Sequence, residues 1–404
     1  MNSSIGIVGG GASGIFCAIL LASSGFKVSI YEKNKILGKK LQATGNGRCN
    51  IHNTHLNSTN YHSSTLTSQE IKKIFENFSY KQFNKKCLEL GLLLKAQEDG
   101  RVYPISQSAK SVMEVFNFFI QKYQIKVFLE QEIKTVEKYK DKYILNHNKS
   151  KLLDFLILSC GSEAHSKLGG SDSGFVLAKS LGINVVKTYP ALVPLECQFK
   201  FLEELSGNKI EAKITLRQNN KIQKEIVGDV LFTNYGLSGF GILDISLFIK
   251  EGCEIVLDFF PTLELKELEN IFIIWSKCEK NKKLEEILVG IINPKMAKIF
   301  SKMLKDSIVH TKSLKQMAYL LKNFIIKNPK LRGFEGAEVS GGGVSFLEVS
   351  MDFESKQYSN LFIVGEMLDI VGDRGGYNLA FVWASATICC NHIVKIAKIS
   401  SKKQ

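Results

Sequence analysis

Arginine is scarce in this chain of 404 residues. Of 53 basic side chains, all but Arg48, Arg101, Arg217, Arg332 and Arg374 are lysine. Bidentate recognition of phosphates and bases favours the guanidinium fork. The formal charge of +14 therefore reads as a solvated lysine surface, and no dedicated nucleic-acid site is expected. The nine cysteines include no C-x-x-C pair, which argues against a thiolate zinc site and a disulfide framework. Cys389 and Cys390 sit in an apolar run and read as buried small hydrophobes. His52, His55 and His62 lie among Asn, Ser and Thr without a carboxylate at ligand spacing, so no metal is expected. There is no unbroken apolar run of membrane-spanning length, and the apolar stretch 15–22 follows glycines rather than a basic leader. A cytoplasmic location with no membrane partner is expected. Neither G-x-S-x-G nor H-E-x-x-H occurs.

What is present begins at Ile5–Val8, a short β-type run that enters the turn "GGGASG". A helical stretch to Ser24 is stopped by Gly25, and "FKVSIYE" then alternates as a strand ending in Glu32. Strand, glycine turn, helix, strand and terminal acid make a βαβ unit of the dinucleotide-binding kind. In it Gly9 permits the tight turn, Gly11 the close approach of a pyrophosphate, and Gly14 the packing of helix on strand. Ala12 and Ser13 open the helix whose N-terminus faces the phosphates. Glu32 would accept hydrogen bonds from an adenosine ribose and repel a 2′-phosphate, which suits NAD or FAD rather than NADP. The apolar run "LLDFLILSCG", ending at Gly161, suits a strand covered on both faces of a parallel sheet. Residues 125–136 and 143–145 read as further strands.

The fold expected is α/β: a Rossmann-like nucleotide-binding domain with an inserted region that has a β part and a helical part. Its expected boundaries are 1–189 with 334–404 for the discontinuous nucleotide-binding domain, 190–260 for the inserted β part and 261–333 for a helical region. The helical reading rests on Leu265, Leu268, Phe272, Trp275 and on Leu314, Met317, Leu321, Phe324, which recur at i, i+3, i+7 and i+10.

Three later segments favour FAD over NAD alone, because FAD is long and needs further backbone contacts. "TGNGRCN" at 44–50 has glycines for close approach, with Arg48 and Asn50 able to reach phosphate or ring oxygens. "VGE" ends a buried strand and presents Glu366 to the ribityl hydroxyls. "GGYNL" opens a helix whose N-terminus could face the flavin. Cys49 stands alone and position 54 is Thr54, so a dithiol relay is unavailable. With no second G-x-G-x-x-G in mid-chain, NAD(P)H could bind only transiently, as a reductant. An NAD-only dehydrogenase and an RNA-associated flavoprotein are the alternative readings.

The stretches "GGGASGIFCAILLASSGFKVSIYEKNKILGKKLQATGNGRCNIHN", "EDGRVYPISQSA", "PALVPL", "FTNYGLSGFGILDIS" and "VGEMLDIVGDRGGYNLAFVWASA" together resemble the bacterial aminoacetone oxidase family of FAD-binding enzymes. These are NAD(P)/FAD-dependent oxidoreductases that also include a bile-acid dehydro-reductase branch. The resemblance implies a Rossmann-like FAD-binding domain of the glutathione-reductase type interrupted by an inserted β-barrel-like and helical domain, in a flavoprotein moving a hydride or electron pair between a small organic substrate and NAD(P)H or dioxygen. Carried over by motif, FAD contacts fall on Gly9, Gly11, Ala12, Ser13, Gly14, Glu32, Lys33, Lys40, Thr44, Gly45, Asn46, Arg48, Cys49, Asn50, Gly161, Gly365, Glu366, Asn378, Leu379 and Ala380. An adenine contact falls near Ile133. Arg374, Tyr377 and Tyr103 are the expected substrate-side residues. Asn234 and Phe240 stand where the family motif has His and Pro, and Arg374 and Ala380 where it has Thr and Gln. The resemblance thus carries the cofactor, not one substrate.

Overall fold

A computed structural model describes residues 3–277, 283–304 and 309–402. They divide into two compact units, Met1–Pro190 with Glu338–Gln404, and Ala191–Ala337.

The first unit is built on five parallel strands. They are β1 (Ser4–Val8), β2 (Lys27–Tyr31), β3 (Lys126–Phe128), β4 (Phe155–Leu158) and β5 (Leu361–Ile363), in the spatial order β5-β4-β1-β2-β3. Every residue of β4 is buried, as an apolar strand in the middle of a covered parallel sheet requires. Helix α1 (Ala12–Ser23) follows β1. Helix α2 (Ala109–Lys122) turns Val112, Met113, Phe116 and Ile120 inward at helical spacing. The C-terminal helix α3 (Tyr377–Lys402) packs on α1, with Cys17 Sγ 3.8 Å from the Ala386 carbonyl. By length and composition its stretch Tyr377–Ile399 could cross a bilayer, yet about two-thirds of its apolar window is buried within the protein. Trp383, fully buried, stacks on Phe83 at 5.6 Å and meets Phe16 edge-on at 5.2 Å. Its indole N–H donates to the Ile51 carbonyl at 2.8 Å, which ties the 44–53 region to the core.

Residues 125–136 are not one strand: β3 ends at Phe128, Glu130 takes a left-handed φ of 53°, and pairing resumes only at Val136–Tyr139 with Lys142–Leu145. Ile133 therefore lies in irregular backbone. Phe324 does not continue a helix either. Thr311–Lys322 ends before Asn323, and Phe324 begins a strand, because Ile326 shares its buried face at period two.

The second unit holds a seven-stranded antiparallel sheet, in the order 324–327, 253–258, 209–218, 221–233, 236–238, 195–196, 330–331. The two outermost strands are consecutive in the chain and only two residues apart, so the sheet must curl toward closure as a barrel does. Its longest hairpin turns at Asn219 and Asn220, both with positive φ, the chemistry a two-residue type I′ turn demands. The helices Leu265–Lys277, Leu284–Leu288, Pro294–Met303 and Thr311–Lys322 share one hydrophobic core with this sheet. Phe300 of the helices meets Phe259 at 5.5 Å and Phe324 at 5.6 Å.

Candidate active site

The loop between β1 and α1 is shaped by its own backbone. Gly9 has φ 106°, and a Cβ there would lie 2.4 Å from the Ser159 carbonyl oxygen. A Cβ on Gly14 would lie 2.0 Å from the Gly9 oxygen, so this glycine serves closure of the loop. Gly11 differs: an added Cβ would meet no protein atom within 4 Å. It caps α1 without any side-chain hydrogen bond, and the first turn contains no acid. A helix start of this kind, open and uncapped, suits a phosphate.

Glu32 lies at the end of β2, 7% exposed. One oxygen accepts from Gly10 N–H at 2.7 Å, and the other from Asn34 N–H and its side-chain amide at 2.8 and 2.6 Å. Three of the roughly four lone-pair positions of a carboxylate are thus used, leaving one on the Gly10 side. The Gln131 N–H donates to the Glu32 carbonyl at 2.9 Å, which brings the segment of buried Ile133 beside this end of the sheet. Lys33 turns aside, its ammonium donating to the Ser171 hydroxyl.

The 44–50 loop is a chain of left-handed turns, with positive φ at Gly45, Asn46, Gly47 and Cys49. Thr44 donates to the Leu41 carbonyl at 2.7 Å. Cys49 points inward, fully buried, and burial pushes its thiol up to about 11. Arg48 reaches over the Tyr103 ring, 5.3 Å from its centroid. The buried side-chain oxygen of Asn50 has no hydrogen-bond partner among the described residues. It lies 2.9 Å from where a Cβ on Gly376 would be, and the Gly45 Cβ position is 2.9 Å from the Asn50 N–H nitrogen and 3.5 Å from the Tyr103 ring. Tyr103, Gly45, Asn50 and the start of α3 are therefore neighbours.

Gly375 and Gly376 turn into α3 with φ of 123° and 98°. Asn378 is spent on this turn, accepting from Gly372 N–H and donating to the Gly372 carbonyl, both at 2.8 Å. Leu379 is half-buried and Ala380 is in the core. Tyr377 is partly exposed, and its carbonyl accepts from the Tyr61 hydroxyl at 2.9 Å. Burial first, then Asp373 and Asp99, raise its phenol above the ordinary tyrosine range. Arg374, partly buried, belongs to the same turn.

At the ends of β4 and β5 a second group gathers. Gly365 (φ 71°) packs on Ser13 of α1, and its N–H donates to Ser385 at 3.1 Å. Glu366 pairs with Lys40 at 2.7 Å and accepts from Ser340 N–H at 3.2 Å. A Cβ on Gly161 (φ 72°) would come 3.7 Å from Lys40 and 3.8 Å from Glu366. Two members of this group escape sequence reasoning. One is His165, held below the usual imidazole range by burial and then by Lys40, against the pull of Glu366. The other is the strand Val339–Val344, whose Gly341, Gly342 and Gly343 would clash with Tyr189, the Lys187 carbonyl and the Met367 carbonyl if they carried a Cβ. The run "SGGGV" was the available signal. His62 and Asp373, 3.0 Å apart, brace the turn before α3 and were legible only as isolated residues.

The family model described as HI0933-like protein Rossmann domain matches residues 3–392. A 3-dehydro-bile acid delta(4,6)-reductase of Clostridium scindens is 31% identical over 401 residues, covering 94% of this chain and 96% of that protein. A ribosomal RNA dihydrouridine synthase of Haemophilus influenzae is 28% identical over 396 residues, covering 95% and 96%. Among solved structures, the 3-ketosteroid-delta4-(5alpha)-dehydrogenase of Rhodococcus jostii RHA1 aligns with a TM-score of 0.51 at 12% identity, over 97% of both chains, a likeness of fold.

Proposed function

The chain belongs to the HI0933-like family, and from that premise we propose that it is an FAD-dependent oxidoreductase that reduces a carbon–carbon double bond conjugated to a carbonyl. The names of both relatives describe one class of chemistry, since a delta(4,6)-reductase and a dihydrouridine synthase each add two hydrogens across such a bond. The observation that carries the flavin part is Asn50. A buried amide oxygen without a partner costs free energy, and it suits an N–H donor of the kind a flavin ring presents.

Bound FAD would supply the hydride, with NAD(P)H as its transient reductant. The rest falls to residues of this chain. The open N-terminus of α1 at Gly11–Ser13 would hold the pyrophosphate, and Glu32 has one acceptor position for a ribose hydroxyl. Glu366, oriented by Lys40, would take the ribityl hydroxyls. The 44–50 loop and the turn into α3 would flank the ring. Tyr377, whose raised phenol stays protonated at neutral pH, would hold the proton for the second carbon, with Arg374 and Tyr103 orienting the carbonyl. Work in the cytoplasm suits thiols that are all free among the described cysteines.

A second reading places the double bond in a uracil of RNA. The relative of Haemophilus influenzae, a ribosomal RNA dihydrouridine synthase, favours it.

The test begins with the visible spectrum of the purified protein and chromatography of the heat-released cofactor. Flavin bands and FAD are expected. After anaerobic reduction, a steroidal 4,6-dien-3-one acid and a uridine-containing RNA are offered separately, and mass spectrometry reads the gain of two hydrogens. R374A, Y377F and Y103F are compared at equal FAD content, and a variant with unchanged turnover leaves the site. A colourless protein that refuses added FAD yet is stabilised by NAD would sink the proposal in favour of an NAD-only dehydrogenase.

A further inference from the structure

The positive charge of this chain is segregated within its second unit. Residues 251–290 contain nine acids and five lysines, whereas residues 291–334 contain ten Lys or Arg and a single acid, Asp306. Whole-chain composition dilutes this contrast. Two helices of the basic stretch carry lysine at i, i+3 and i+7, with Lys295, Lys298 and Lys302 on Pro294–Met303, and Lys312 and Lys315 followed by Tyr319 on Thr311–Lys322. That spacing puts each set on one helix face. The opposite faces are already used: Leu314, Met317, Ala318 and Leu321 are all buried in the core.

Some lysines elsewhere on the protein meet acids, as in Lys72 with Glu76, Lys209 with Asp229 and Lys213 with Glu225. Lys322, one turn beyond Tyr319 at the end of the helix, is accounted for by Asp258 at 2.8 Å. Lys312 and Lys315 are exposed and have no ion pair or hydrogen bond through their ammonium groups among the described residues. Like charges one turn apart oppose the helix that carries them, so folding gains nothing from the pair. A polyanion would.

We infer that the exposed face of Thr311–Lys322, formed by Lys312, Lys315 and Tyr319, is a docking surface for the phosphate backbone of RNA. Lysine supplies point charges for phosphates without reading bases. Tyr319, 57% exposed on the same face, offers a ring on which an unpaired base can stack. An anionic membrane fits less well, because an interfacial helix must insert its apolar face and here that face is in the core. The inference rests on the second reading above, in which the enzyme acts on uracil in RNA.

The experiment uses the full-length FAD-loaded protein and a fluorescein-labelled single-stranded RNA containing uridine, followed by anisotropy between about 50 and 200 mM salt. K312Q/K315Q should weaken binding at every salt concentration and reduce the slope of log K against log salt by about one unit per lysine. Y319A should weaken binding without changing the slope, and K72Q should behave as wild type. Wild-type affinity and slope in K312Q/K315Q would overturn the inference, and so would loss of binding to phosphatidylglycerol vesicles with RNA binding intact. Dihydrouridine formation is measured in parallel. A salt slope that the variants reduce, with no dihydrouridine formed, would leave the surface standing and sink the uracil reading. Dihydrouridine formed by variants that bind as wild type would do the reverse.

Discussion

Gly11 and Gly14 stand three residues apart and answer to different demands. A methyl on Gly11 touches no protein atom, while one on Gly14 strikes the Gly9 carbonyl at 2.0 Å. G11A should therefore keep its stability within about 1 kcal/mol while losing FAD, and G14A should destabilise the fold by roughly 1–3 kcal/mol. Urea midpoints and flavin absorbance per protein check both, and G11A with its full complement of FAD would refute the phosphate role of the loop. His52 makes a different prediction. It is fully inside, stacked on Phe83 at 4.7 Å, and burial lowers its imidazole to about 4. The unfolded chain then binds a proton that the folded chain refuses, so stability is highest above the ordinary imidazole range. It falls as pH drops from about 6.5 toward 4, by up to about 3 kcal/mol. The wild-type urea midpoint should drop over that window and that of H52F should drop less. Equal slopes would remove His52 as the cause.

At the level of elements, the most legible parts are those whose signal is local. β1, α1 and β2 could be read because the glycine turn, the stop at Gly25 and the acid after β2 lie within one βαβ unit. The apolar β4 was legible because burial on both faces removes every polar position from a strand. Less could be read where the decisive partner is distant. The break after Phe128 depends on a turn at Glu130 that carries neither Gly nor Pro, so the apolar residues up to Val136 mimic one strand. Phe324 falls on the helical period of the preceding helix by coincidence, and the strand that claims it is fixed by pairing with Cys253–Asp258. Asn378 was readable as part of a helix-opening motif, but its capture by the backbone of Gly372 was not, because that requires the turn to be folded.

On the scale of the whole molecule, two units each own a core. One contains Trp383, Phe16 and the parallel sheet, and the other contains Phe232, Phe300, Phe324 and the antiparallel sheet. Separate cores allow separate unfolding. Calorimetry should resolve two transitions, with added FAD raising only that of the unit containing α1 and α3; one transition moving as a whole would exclude independent unfolding. The sequence by itself determined the nucleotide-binding start, the parallel α/β class and the left-handed glycine turns, because these follow from short-range sterics and from patterns of burial. Tertiary structure alone decided that Asn50 would meet Gly376, that Lys40 would hold Glu366, and that Gly341–Gly343 would be squeezed between Tyr189 and Met367. Each of these joins segments hundreds of residues apart, or strands whose pairing no periodicity announces, so their chemistry exists only once the sheet has brought them together.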